Sequence, residues 1–310
     1  MRQMLEYRRA EPTTLPLLIS NEGFTNSRGK SSRIVPMLHI LRDYDEDVRV
    51  VAYVRPPRSF ISSQFQQWAK HARTRAFSSM GYLWPCYRKI FEVFDTIFGR
   101  ENVTFKPFQR DRLEGGNVVL DFAHEIGVAL DPGEVVLANT SIGLEAVALL
   151  HVQSRFGKPV GWKDRQGRFQ QRQFSGYISR LCPRRRFVLS DVLTDPLVKA
   201  NHADLDWMEA RLGMSLSEPP VLEGEGVSSE AELISIALAA RPLVEDMIAQ
   251  RVADLPAHDI PDCDLSAPDV PDADRPAYEL ACRLDFLKDR LNIPLAKWLV
   301  PKAKTRKVTS

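Results

Sequence analysis

Cysteine is scarce in this chain, and long apolar runs are missing. Four cysteines stand far apart and form no CxxC pair: Cys86, Cys182, Cys263 and Cys282. We therefore expect neither a disulfide framework nor a zinc site, and we expect reduced thiols in a cytoplasmic protein. No apolar run approaches the roughly 20 residues that cross a bilayer, which predicts a protein without a transmembrane segment. The first twelve residues, MRQMLEYRRAEP, contain no apolar core, so no secretory signal is expected.

An excess of one charge is also lacking. The 42 Lys and Arg residues nearly balance the 40 Asp and Glu residues, so global charge favours no nucleic-acid partner. One local exception is the stretch 157–186, which has nine Lys or Arg residues against one acid, interleaved with aromatic residues. This stretch is interpreted either as a solvated basic loop or as a cationic lid over a site. Binding of a glycan or a nucleic acid is the third interpretation.

The most informative stretch is 48–70, VRVVAYVRPPRSFISSQFQQWAK. Its first seven residues are rich in β-branched side chains, which predicts a buried strand. Arg55 follows at once, and Pro56-Pro57 stops the strand and opens a helix that carries Ser63 two turns in. In open α/β sheets, ligands bind at this edge, and a helix start there favours anions. Arg55 and Ser63 therefore predict a phosphate-binding site.

This pattern resembles the 3′-phosphate-binding segment of sulfotransferases that use 3′-phosphoadenosine-5′-phosphosulfate (PAPS). The resemblance rests on Arg55, on the proline after it, and on Ser63 eight residues beyond Arg55. Trp68 and Lys70 in QQWAK resemble the bacterial sulfotransferase-like branch. Three further blocks occur in the expected order, so that the resemblance covers roughly residues 15–213: LLISNEGF (17–24), NVTFKPFQRDRL (102–113) and ANTSIGLEAVALL (138–150).

The resemblance implies an α/β fold of the P-loop type, with a parallel sheet flanked by helices. It also implies transfer of a sulfuryl group from PAPS, without a metal, to a hydroxyl or amine acceptor such as a glycan, a lipid or a small metabolite. The family's first strand and Gly-rich phosphate loop are expected before Leu15, and the sequence has no such loop there. We therefore expect an N-terminally truncated fold with weak or no activity, because each lost oxyanion donor costs about 10²–10³ in rate. The alternative is a catalytically inert relative that binds a nucleotide or a glycan.

Four further side chains are candidates for the site. Glu22 follows a predicted buried strand at 15–20 and is the candidate general base. Alternatively, its carboxylate pairs with Arg55 or a nearby arginine, or accepts backbone N–H bonds in the loop. Lys70 is the candidate to replace the missing loop lysine near the transferred group. By resemblance, Asn139 and Ser141 help to hold the nucleotide. Alternatively, Thr140 or Ser141 is the plain N-cap of the helix that follows.

The domain organisation is predicted to be bipartite. Residues 1–216 form the sulfotransferase-like domain, and 217–310 form a helical extension. Within the extension, 254–276 contains seven Asp and five Pro residues and is expected to be a disordered or extended linker. Further predicted elements include helices at 27–43, 82–98, 231–252 and 277–291, and strands at 102–108 and 187–190.

Overall fold

The computed structural model of the protein describes residues 5–6, 16–25, 31–45, 47–136, 141–160, 165–253 and 270–291. These residues are mostly helical, with a small parallel sheet. In chain order the elements are α1 (Ser31–Arg42), β1 (Val50–Val54), α2 (Pro57–Lys70), α3 (Tyr87–Phe98), β2 (Val103–Pro107), α4 (Val118–Glu125), α5 (Leu144–Phe156), α6 (Arg165–Leu181), α7 (Asp191–Ala200), α8 (His202–Leu212), α9 (Glu230–Ala239), α10 (Arg241–Ala253) and α11 (Arg275–Arg290).

The sheet consists of β1 and β2, which pair in parallel from Val50↔Val103 to Val54↔Pro107. Both predicted strands and their parallel pairing are confirmed. A parallel pair needs a crossover connection, which α2 and α3 supply. Over the described residues the sheet has two strands, so it is smaller than the sheet that the resemblance implied. The α/β class therefore holds, and the P-loop topology stays a prediction.

The predicted strand at 15–20 is wrong over its described part, 16–20. This segment has no regular secondary structure. Leu17 and Leu18 are 40% and 59% exposed, so the apolar run is not buried. An apolar run forms a strand only where a neighbouring strand completes its hydrogen bonds, and neither β1 nor β2 pairs with it. The chain then makes a short 3₁₀ turn, Glu22–Phe24, in which the Gly23 amide donates to Asn21 Oδ1 at 2.7 Å.

The described residues divide into two compact units. The first draws on Met1–Phe60, Trp84–Leu137 and Asp195–Pro219, and the second on Ile61–Leu83, Ala138–Thr194 and Pro220–Ser310. The sheet, α1, α3, α4 and α8 belong to the first unit. The second unit contains α5, α6, α9, α10 and α11, while α2 and α7 have residues in both. The predicted boundary after residue 216 stays a prediction.

In the first unit, α3 supplies the apolar core. The predicted amphipathic helix is confirmed, and its buried face consists of Tyr87, Ile90, Phe91, Phe94, Ile97 and Phe98. The helix begins at Tyr87 rather than at Tyr82 because Asp204 caps it from α8. The two carboxylate oxygens of Asp204 accept the amides of Tyr87 and Arg88, each at 2.8 Å. This side chain thus satisfies two first-turn donors that the helix itself cannot satisfy.

An arginine on α8 connects three elements of the first unit. Arg211 donates to both carboxylate oxygens of Asp95 at 2.7 and 2.8 Å, and to the Val103 carbonyl at 2.7 Å. Its guanidinium carbon also lies 4.6 Å from the centre of the Phe105 ring. The bidentate pair with Asp95 thereby joins α8 to α3, and the bond to Val103 joins α8 to β2, the strand that pairs with β1.

In the second unit, α5 is the central helix and is buried along most of its length. It begins at Leu144 and its N-cap is Gly143, so the predicted cap at Thr140 or Ser141 is wrong. A residue distant in sequence fixes the start of α5, since the Leu144 amide donates to the Arg185 carbonyl at 2.8 Å. A side chain at Gly143 would clash with the Pro183 carbonyl, so the close approach requires glycine.

The structure differs from two other predictions for the second unit. The basic stretch 157–186 is not a loop throughout, because α6 takes up 17 of its residues and buries Phe174 and Ile178 completely. The single helix predicted at 231–252 is divided between α9 and α10, and the last helix, predicted at 277–291, is confirmed as α11. Most of the predicted linker, 254–269, lies outside the described residues.

The cysteines and the apolar helices bear on two further expectations. Cys86 and Cys182 are free thiols, whereas Cys282 is disulfide-bonded. The expectation that all thiols are reduced is therefore wrong for Cys282. None of the described helices combines the length and the apolar character that crossing a membrane requires.

Candidate functional site

Arg55 lies at the carboxyl end of β1, where the sequence predicts a ligand. The ladder continues for one bond beyond the strands, because the Phe108 amide donates to the Val54 carbonyl at 2.7 Å. This bond brings the Phe108 ring next to Arg55, whose guanidinium carbon lies 4.6 Å from the ring centre. The Tyr87 hydroxyl donates to the Arg55 carbonyl at 2.7 Å. The hydrogen bond from Tyr87 therefore restrains the backbone of Arg55, and the cation–π contact with Phe108 restrains its guanidinium.

The electrostatics of Arg55 favour an anionic ligand. Burial lowers the pKa of its guanidinium, and the negative charge of Glu218 partly offsets this. Arginine nevertheless stays protonated in proteins. No described carboxylate forms an ion pair with Arg55. A half-buried cation without an ion pair has lost part of its hydration, and an anion from solution can compensate for that loss.

Glu218 accepts hydrogen bonds from the backbone N–H groups at the start of α2, which were predicted to bind a phosphate. One carboxylate oxygen accepts the Arg58 amide at 2.8 Å, and the other accepts the Ser59 amide at 3.0 Å. These amides belong to the first turn of α2 and have no partner within the helix. The Arg58 side chain is occupied as well, by Asp195 at 2.7 Å. An internal carboxylate therefore occupies the anion site of this helix, and it lies close enough to act on the charge of Arg55.

A polar network continues from the aromatic side of Arg55 along the sheet. Tyr53 contacts the Phe108 ring edge-on at 6.5 Å and donates its hydroxyl to Asp121 at 2.6 Å. Lys106 lies opposite Tyr53 in the strand register and approaches Asp121 at 2.6 Å and Glu125 at 3.1 Å. Burial, followed by the contact with Asp121, raises the pKa of the Tyr53 hydroxyl. The network thus holds the ring of Tyr53 against the platform on which Arg55 rests.

The sequence alone did not single out Phe108, Tyr53, Lys106 or Glu218. The alternation of side chains along a strand provides one signal, because Tyr53 lies two residues before Arg55 and is expected on the same side. No comparable signal exists for Glu218. It lies 160 residues from Arg58 in a Glu-Pro-Pro segment that reads as a linker.

Three of the remaining candidates belong to the second unit. Ser63 is a half-buried residue of α2, but it belongs to the second unit and Arg55 belongs to the first. Lys70 ends α2 in the second unit, and burial lowers the pKa of its ammonium group. Ser141 is exposed and precedes α5.

The other two candidates can be placed only in part. The backbone of Glu22 opens the 3₁₀ turn Glu22–Phe24, and its side chain is not among those described. Asn139 lies outside the described residues. In the described part of the chain, no group of three or more His, Cys, Asp or Glu residues is arranged to hold a metal ion.

Comparison of the chain with known protein families, with curated proteins and with solved structures found no match. Its function has to be inferred from the geometry around Arg55 and from the sequence pattern that contains Arg55.

Proposed function

We propose that the chain is a sulfotransferase-like protein that binds the 3′-phosphate of PAPS, or of the product 3′,5′-ADP, through Arg55. One observation carries this proposal. A half-buried guanidinium without an ion pair among the described side chains lies at the carboxyl end of a parallel strand. Such an edge is the usual ligand position in α/β sheets, and guanidinium binds phosphate with two parallel hydrogen bonds.

The surroundings of Arg55 suit it to this role. Phe108 covers one face of the guanidinium and leaves its edge, which carries the N–H donors, for an anion. The bond from Tyr87 to the Arg55 carbonyl restrains the main chain at the strand end. Binding then orders fewer groups, which lowers its entropic cost. The sequence resemblance assigns a further hydroxyl donor to Ser63.

The proposed reaction is transfer of a sulfuryl group to a hydroxyl or amine acceptor. The acceptor oxygen or nitrogen attacks sulfur, the bond from sulfur to the bridging phosphate oxygen breaks, and 3′,5′-ADP leaves. Glu22 accepts the proton of the acceptor, and Lys70 stabilises the charge on the departing oxygen. Asn139 and Ser141 hold the nucleotide. These four assignments rest on the sequence resemblance alone, as does the class of acceptor, a glycan, a lipid or a small metabolite.

A specific contact favours a second candidate function, a nucleotide-binding protein without catalysis. The carboxylate of Glu218 already accepts the Arg58 and Ser59 amides at the start of α2. These donors are therefore not open to the 3′-phosphate, so fewer contacts position PAPS for the transfer. Under this alternative Arg55 still binds the nucleotide, but PAPS is not consumed.

Calorimetric titration of 3′,5′-ADP into the wild type and into Arg55→Ala tests the proposal. Loss of the guanidinium removes hydrogen bonds between charged groups, about 1.5–3 kcal/mol, so binding should weaken by at least about tenfold. Arg49→Ala is the matched control, because Arg49 precedes β1 at the opposite end of the strand and is expected to leave binding unchanged. Equal affinities of wild type and Arg55→Ala would refute the site.

A second measurement separates the enzyme from the inert binder. PAPS is incubated with the wild type and a hydroxyl acceptor, and the release of 3′,5′-ADP is followed against the same mixture with Arg55→Ala. Release that requires Arg55 supports transfer, whereas binding without release supports the inert relative.

A further inference from the structure

The end of α2 is a tight turn that places cationic residues beside an aromatic side chain. The Arg73 amide donates to the Trp68 carbonyl at 2.8 Å, and the Ala72 amide donates to the Ala69 carbonyl at 3.0 Å. These two bonds define a Schellman motif, in which the residue in the place of Ala72 adopts a left-handed conformation and is usually glycine. Ala72 has a φ of 49°, so the turn persists here despite a side chain that disfavours it.

This turn forms one wall of a cavity within the second unit. The cavity measures about 460 Å³ and is lined by Trp68, Ala72, Arg73, Thr74, Arg75 and Ser154. Its volume falls in the range of small-molecule sites, about 300–1,000 Å³, and exceeds what a bare phosphate or sulfate ion needs.

Aromatic rings and a guanidinium form one side of the cavity. The rings of Trp68 and Tyr82 pack at 4.3 Å with an interplanar angle of 30°. The guanidinium carbon of Arg75 lies 5.2 Å from the Tyr82 ring centre, and the Arg75 amide donates to the Tyr82 hydroxyl at 3.3 Å. Arg75 is thereby held beside the indole while it forms no ion pair with a described carboxylate.

Positive charge accumulates at the end of α2, beside the turn. The pKa of His71 is lowered first by burial of the ring and then by the charges of Arg73, Arg172 and Lys70. Clustered like charges repel one another, and the repulsion is relieved when an anion binds among them.

A buried hydroxyl in the cavity wall has no partner. Thr74 is 6% exposed, and its Oγ1 forms no hydrogen bond within the described part of the chain. The Thr74 carbonyl, in contrast, accepts the Ser154 hydroxyl at 3.4 Å. Buried hydroxyls are almost always hydrogen-bonded, so this one needs a partner from outside the described side chains, either a water molecule or a polar ligand atom.

We propose that this cavity binds a small organic anion in which a phosphate or sulfate monoester is attached to a planar ring. Arg73 and Arg75 pair with the ester oxygens, the ring packs against Trp68, and the hydroxyl of Thr74 hydrogen-bonds to the ligand. The proposal does not depend on Arg55, which belongs to the other unit. Both esters share the chemistry that the cavity recognises, a tetrahedral anion next to a flat apolar group.

Titration of the full chain with phenyl phosphate, phenyl sulfate and inorganic phosphate tests the proposal. Tryptophan fluorescence and calorimetry report binding, and the more tightly bound ester identifies the source of the anion. We expect saturable quenching by at least one phenyl ester, about tenfold weaker binding of inorganic phosphate, and loss of the quenching in Trp68→Phe. No saturable binding of either ester, or equal affinity for inorganic phosphate, would overturn the proposal.

Charge variants identify the residues that bind the anion. The double variant Arg73→Gln/Arg75→Gln should bind the phenyl ester at least about tenfold more weakly, because hydrogen bonds to charged groups are lost. Arg184→Gln is the matched control, since Arg184 is an exposed arginine of the same unit outside the cavity. Unchanged binding in the double variant, or an equal loss in the control, contradicts the assignment. Arg55→Ala should keep the quenching, so failure of the nucleotide site and failure of this cavity are distinguishable.

Thr74→Val tests the hydroxyl separately. The methyl group keeps the volume of the side chain and removes an unpartnered buried donor, so the ligand-free variant should melt at the same or a higher temperature. Binding of the phenyl ester should nevertheless weaken several-fold. Unchanged affinity would show that the hydroxyl does not contact the ligand, and a lower melting temperature would show that it has a structural partner instead.

Discussion

Glu218→Gln is the substitution that most directly probes the region around Arg55. The carboxylate accepts two amides of the first turn of α2, at 2.8 and 3.0 Å. Glutamine retains one acceptor oxygen, places an NH₂ group against the other amide, and removes the negative charge. A hydrogen bond to a charged group contributes about 1.5–3 kcal/mol, and Glu218 is only half-buried. We therefore expect a loss of about 1–2 kcal/mol in unfolding free energy.

The same substitution should strengthen nucleotide binding. In the wild type the Glu218 carboxylate acts on the charge of Arg55 and occupies the positive end of α2. A charge at a helix terminus is worth about 0.3–2 kcal/mol, so its removal should improve the affinity for 3′,5′-ADP by roughly 2- to 30-fold. Lower stability combined with tighter binding is the signature of an internal anion that competes with the ligand.

Thermal melting and calorimetric titration measure the two effects on the same samples. A loss of 1–2 kcal/mol corresponds to a decrease of about 2–8 °C in Tm for units of this size. The matched control is Glu223→Gln, an exposed glutamate outside α2, which should change neither quantity. Weaker ADP binding by Glu218→Gln would refute the competition, and an unchanged Tm would refute the capping role.

Three further predictions concern the second unit. Gly143→Ala should cost about 1–3 kcal/mol, measured by urea denaturation, because the added methyl group meets a backbone carbonyl that cannot move away. Ala72→Gly should raise Tm by about 1–3 °C, since relief of about 1–2 kcal/mol of left-handed strain exceeds the added entropy of the unfolded chain; a decrease would contradict the turn. Stability should fall as the pH is lowered from 6.5 to 2. Burial lowers the pKa of His151, so its unfolded form takes up the proton first. Burial alone would raise the pKa of Glu230, but hydrogen bonds from His151 and from a backbone amide bring it to about 2, so its contribution is lost between pH 4.5 and 2. Glu230→Gln should abolish that acid-side loss in denaturation curves recorded from pH 5 to pH 3, and an unchanged pH dependence would contradict the assignment.

Elements with a strong local pattern were predictable. The β-branched run of β1, the similar run of β2 and the aromatic stripe of α3 each carry their periodicity within a dozen residues, and all three are confirmed. The apolar run at 16–20 has the same local composition as a strand but pairs with neither β1 nor β2, and Leu17 and Leu18 are exposed. Composition thus predicts a strand only where a second strand completes its hydrogen bonds.

The candidate site was predictable only in its centre. The position of Arg55 follows from the strand and the two prolines after it, which are consecutive in sequence. Its aromatic platform, Phe108, comes from the end of the neighbouring strand and required the parallel register. The cavity at the end of α2 required the turn at Ala72, where the sequence has no glycine to mark a left-handed residue.

The sequence by itself therefore determined the two strands, the apolar face of α3 and a cation at the end of β1, because each depends on backbone hydrogen bonding and side-chain periodicity among near neighbours. Tertiary structure alone decided where α3 and α5 begin and which anion meets the start of α2. Asp204 decides where α3 begins, the close approach of the segment near Arg185 to Gly143 decides where α5 begins, and Glu218 is the anion at the start of α2. Each partner lies dozens of residues away or more, and the unsatisfied donors of a helix end bind whichever acceptor the fold brings to them.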